Sequence, residues 1–149
     1  PADEVALEKL DEIKAAKIWK DGKVKEYQTE LTDVVREYIS RRFGVQSTEK
    51  TSEETLREME TILVKGRNPS PTLPSREGEQ ALFEGSKEEG KALYERLAAM
   101  LRTADLVKFA KWHTTPDENE SALTTAYDFV KETKEVPSEQ VPSTKEEEL

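Results

Sequence analysis

Seven apolar residues, Val24, Tyr27, Leu31, Val34, Val35, Tyr38 and Ile39, recur every three to four positions over one stretch. That spacing constrains the fold more than any other feature. On a helix these residues form one continuous stripe, whereas on a strand they would scatter over both faces. A helix is therefore expected over Val24–Phe43. Arg36, Arg41 and Arg42 crowd toward its C-terminal end, where cations suit the helix dipole, and Gly44 ends it. A rod with one greasy side needs other rods to cover that side. No segment alternates apolar and polar residues for long enough to build a sheet.

The remaining segments supply the other rods. Leu7, Leu10, Ile13 and Ile18 mark a helix over about 3–20, with acids early, lysines late and a break at Gly22. Thr51 with Glu54 three residues on is a capping box, which opens a helix carrying Leu56, Met59, Ile62 and Leu63. The connector before it, 44–51, is expected to bury Val45 at most. Ser86 with Glu89 repeats the capping signature ahead of Leu93, Leu97, Met100 and Leu101. A short helix is expected to restart at Thr103-Ala104-Asp105, placing Val107, Phe109 and Trp112 in the core. Pro116, after a Thr115 cap, opens a last helix with Leu123, Ala126, Tyr127 and Val130. The expected fold is all-α: a compact bundle of five to six helices with the second one central. Its core would hold Tyr27, Leu31, Tyr38, Leu97, Leu101, Phe109 and Tyr127.

Hydrophobic residues make up 34% of the 149 and charged residues 37%. Such a chain cannot bury all of itself. Two stretches account for the shortfall. Asn68-Pro69-Ser70-Pro71 and Leu73-Pro74-Ser75 interrupt helix, so 66–85 reads as a long, flexible, proline-containing loop, with Leu82 and Phe83 pinning its end to the body. Beyond about residue 134 two prolines, several acids and no aromatic predict a disordered acidic tail. The bundle domain thus spans 1–133 and the tail 134–149.

Site chemistry is sparse. A formal net charge of −9 disfavours general nucleic-acid binding, because phosphate contacts need clustered Lys and Arg. With no cysteine, disulfides, thiolate metal sites and a cysteine nucleophile are excluded. No run of 18 apolar residues exists to span a bilayer. Pro1-Ala2-Asp3-Glu4 lacks the basic and apolar regions of a signal peptide, and a start without Met suggests a cut or processed chain. His113 is the one histidine. Read as a general base it would need Asp117, Glu118 or Glu120 nearby, which defines a hydrolase alternative. Read plainly it lies in a turn between helices. Asp117-Glu118-Asn119-Glu120 lacks the ligand alternation and glycine of a calcium loop, and no glycine-rich phosphate loop occurs. No catalytic, cofactor-binding or metal-binding residue is therefore assigned, and no cofactor is expected.

Two surfaces remain. Lys14, Lys17, Lys20, Lys23 and Lys25, with Trp19 among them, make a basic stretch able to face an anionic membrane or an acidic partner. Arg36, Arg41, Arg42 and Trp112 make a possible partner surface. The second and third helices also suggest a helix-turn-helix alternative. Their connector is too long for it, and Glu53, Glu54, Glu58 and Glu60 would repel phosphate.

The runs 18–27 and 31–45, then Thr51-Ser52-Glu53-Glu54-Thr55-Leu56, Ala104-Asp105-Leu106-Val107-Lys108-Phe109-Ala110-Lys111 and Pro116-Asp117-Glu118-Asn119-Glu120, carry a resemblance. Together they resemble the cytosolic C-terminal portion of Bacteroidetes inner-membrane proteins. These are encoded in aerotolerance (Bat)-type clusters with a MoxR-like ATPase and von Willebrand A domain proteins. The resemblance covers about 7–133, apart from the 66–85 loop. It implies a protein-interaction module on the cytoplasmic face of a bacterial inner membrane, anchored in the full-length protein by a helix outside this sequence. It also implies the ATPase or the von Willebrand A proteins as partners. Lys14 to Lys25 would then lie near the membrane, as the positive-inside bias expects. No catalytic residue is assigned in that group, so none is carried over.

Overall fold

A computed structural model of the chain describes residues 1–16, 22–67 and 82–135. Among the described residues there are five α-helices: α1 (Ala2–Ala16), α2 (Val24–Phe43), α3 (Ser52–Leu63), α4 (Lys87–Ala110) and α5 (Pro116–Thr133). A single 3-10 turn, Ser47–Glu49, lies between α2 and α3. No strand occurs among the described residues. Ile18 and the tail after residue 135 lie outside them, as does most of the 66–85 loop.

The helix ends follow from local chemistry. Thr51, Ser86 and Thr115 each accept a hydrogen bond from the backbone N–H three residues on, and Glu54, Glu89 and Glu118 reach back to the cap N–H. Each reciprocal pair satisfies two amides that the first helical turn leaves unbonded. α2 ends at Gly44, whose backbone is left-handed at φ 74, a conformation that costs a residue without a side chain nothing.

α2 lies against α1, α4 and α5, with the 3-10 turn also packed on it, so the helix with the longest stripe is indeed central. Tyr27, Leu31, Val35, Tyr38 and Ile39 are buried, as are Leu97 and Leu101 of α4. α5 presents Phe129 to the core, where its ring meets Tyr38 edge-on at 5.9 Å. Tyr127, expected in the core, is only half-buried and donates its hydroxyl hydrogen bond to Asp11 of α1. α5 is turned so that Ala126, Phe129, Val130 and Thr133 form its inner stripe.

The connector before α3 buries more than Val45. Ser47 is fully enclosed, and Arg36 organises the segment. Its guanidinium donates to the Ser47 and Lys50 carbonyls at 3.0 and 3.1 Å, and to the Ser52 hydroxyl at 2.6 Å. At the same end of the molecule Phe83 is buried, and Arg42 donates to the Leu82 and Thr133 carbonyls at 2.7 and 2.6 Å. Leu82 and Phe83 do pin the returning chain, and Arg42 places a cation at the C-terminus of α5, where the dipole favours it.

Side-chain contacts give the helix directions. Lys9 of α1 pairs with Glu37 of α2 at 2.9 Å, and Ala2 and Val5 line a shallow notch with Tyr38 and Arg41. α1 therefore runs antiparallel to α2. The Tyr27 hydroxyl donates to the Asn119 carbonyl, and Tyr38 meets Thr133, so α5 runs parallel to α2. The C-termini of α1 and α4 and the N-termini of α2 and α5 thus share one pole.

Candidate functional site

That pole holds the large apolar side chains that the described fold leaves exposed: Leu106 (43%), Phe109 (81%) and Trp112 (53%). The expectation that Phe109 and Trp112 belong to the core is overturned; of that trio only Val107 is buried. Two facts explain the difference. First, no helix restarts at Thr103: α4 continues unbroken from Lys87 to Ala110. Second, in a continuous α4 the buried stripe is Gly90, Leu93, Leu97, Leu101, Ala104 and Val107, and Leu106 and Phe109 fall on the opposite side of the helix.

Arg102, Leu106 and Phe109 are spaced i, i+4 and i+7, so they lie along one line of α4. At the upper end of that line Arg102 makes two hydrogen bonds to the Glu53 carboxylate, at 2.9 and 3.0 Å, in the first turn of α3. Below Arg102 there is no α3. The chain preceding Ser52 turns away to Arg36 on α2. The same outward face carries Lys91, Glu95 and Ala99 higher up, all exposed, so Leu106 and Phe109 stand on the side of α4 that faces away from the bundle.

The end of α4 is folded back and held. Lys111 adopts left-handed backbone at φ 56, and the amides of Lys111 and Trp112 both bond the Leu106 carbonyl. The connector is then tied down by a buried polar cluster. Thr114 donates to Asn119 Oδ1 at 2.8 Å, and Gln28 Nε2 donates to the same oxygen at 3.0 Å. The Tyr27 hydroxyl donates to the Asn119 carbonyl at 2.7 Å. Burial pushes the Tyr27 phenol up to about 12, and the charge of Glu120 adds to the effect. Trp112 is therefore exposed on an anchored connector.

Two lysines lie in the same segment. Lys108 is half-buried and Lys111 exposed, and neither joins an ion pair among the described residues. Asp105 is the acid on this stretch. From the basic stretch, Lys14 ends α1 at the same pole, while Lys23 and Lys25 stand exposed at the start of α2. Lys17 and Lys20 lie outside the described residues. The structure thus gathers part of the basic stretch and Trp112 at one end.

The arginines proposed with Trp112 are elsewhere. Arg36 and Arg42 are half-buried and spend their donors on carbonyls and hydroxyls of the fold. Arg41 is exposed and paired with Glu37 at 3.0 Å, an i,i+4 contact that, with the Lys9 hydrogen bond as the larger influence, lowers the Glu37 pKa. His113 is exposed in the connector, and no hydrogen bond or ion pair among the described residues links it to Asp117, Glu118 or Glu120. No group of three metal-ligating side chains occurs among the described residues, and no described helix is long and apolar enough to cross a membrane.

Leu106 was not singled out as a surface residue because a new helix was expected at Thr103. The available signal was the phase of the stripe: continued from Leu97, Leu101 and Ala104 it reaches Lys108 and leaves Leu106 and Phe109 outside. Gln28 and Asn119 were also missed. A glutamine within the longest apolar stripe was the mark of a buried polar contact.

The described residues form an all-α bundle that leaves Leu106, Phe109 and Trp112 exposed toward one end. No family model matches the chain, and no curated protein or solved structure matches it.

Proposed function

We propose that the chain is a non-catalytic protein-interaction module that engages its partner through the exposed end of α4. The observation carrying this reading is that Leu106, Phe109 and Trp112 fall within seven residues and on one pole. Monomeric proteins rarely leave a contiguous apolar patch without a use for it. The rigid tie of the connector to α2 through Asn119 supports a preformed surface, which loses little entropy on association. Resemblance supplies the setting: the cytoplasmic face of a bacterial inner membrane, with a MoxR-like ATPase or von Willebrand A proteins as partners.

A photo-crosslinking residue at position 109 of the full-length protein in its native membrane tests this, with the same residue at exposed Arg57 on α3 as the control. Capture of the ATPase or a von Willebrand A protein from position 109 and not from position 57 is expected. Equal capture at the two positions, or none at 109, refutes the reading.

A further inference from the structure

We draw no further inference here: the strongest candidate, the exposed apolar patch of Leu106, Phe109 and Trp112 where α4 runs into its connector, belongs to the site already described, and nothing in the structure shows what covers it.

Discussion

Replacing Gly90 with alanine sets two effects of opposite sign against each other. Gly90 lies in the first turn of α4, within the helix Lys87–Ala110. By helix propensity alone alanine should stabilise this position by up to about 1 kcal/mol. The tertiary structure opposes it. A Cβ at Gly90 would sit 1.8 Å from the Leu63 carbonyl oxygen and 2.8 Å from its carbon. Those atoms are backbone at the C-terminus of α3, so no rotamer change relieves the overlap. α3 must retreat by more than about 1 Å, opening the packing of Leu63 and Phe83 around it. Overpacking of this kind costs about 1–3 kcal/mol or more, and the depth of the overlap places Gly90→Ala at the upper end. After the propensity gain, a net loss of about 2 kcal/mol remains. Thermal unfolding followed by circular dichroism should then show Tm lowered by roughly 8 °C, at about 4 °C per kcal/mol for a domain of this size. A Gly90→Ala protein as stable as the parent, or more stable, would refute the close approach of α3 and α4 and return the position to propensity alone.

Three further outcomes follow from the same geometry. Lys111→Gly should raise stability by about 1 kcal/mol in urea denaturation, because Lys111 holds a left-handed backbone that penalises a side chain; an unchanged midpoint counts against that cap. Arg36→Ala should lower stability by about 2 kcal/mol, since the Ser47 and Lys50 carbonyls lose a charged donor, and amide exchange should quicken across 45–51; slow exchange there contradicts the assigned role. Alkaline pH should unfold the protein through its tyrosines. The Tyr27 phenol keeps its proton up to about 12 when folded and ionises near its ordinary value of 10 when unfolded. Its contribution is therefore intact below pH 10 and is lost as pH rises from about 10 to about 12, to the extent of about 2–3 kcal/mol. Tyr27→Phe should cost about 1 kcal/mol at pH 7, through the lost bond to Asn119, yet fall less steeply between pH 10 and 12; an identical slope would refute the assignment.

Local chemistry made much of this protein legible before any coordinates. The helix Val24–Phe43, the Thr51 and Ser86 capping boxes, the Thr115–Pro116 start and the Gly44 stop all depend on residues within four positions of one another. So does the stripe that put Tyr27, Leu31 and Tyr38 inside. Burial at the element ends was less legible. Phe109 and Phe129 are the same residue type, yet Phe129 is buried and Phe109 is exposed. Phe129 is in phase with Ala126 and Thr133, whereas Phe109 falls out of phase with Leu101 and Ala104 once α4 is continuous, and that continuity was not read from the sequence.

The amino-acid order by itself determined where helices start and stop and which side of each seeks cover, because capping and periodicity act over one or two turns. Only the tertiary structure decided which stripes receive that cover. α4 runs unbroken to Ala110, so Leu106 and Phe109 fall on the side away from its buried stripe and stay exposed. The parallel run of α2 and α5 brings Gln28 to Asn119 and sets Trp112 on the same pole as Lys14. Burial depends on the lengths and directions of neighbouring rods far apart in the chain, and a short-range pattern does not contain that information.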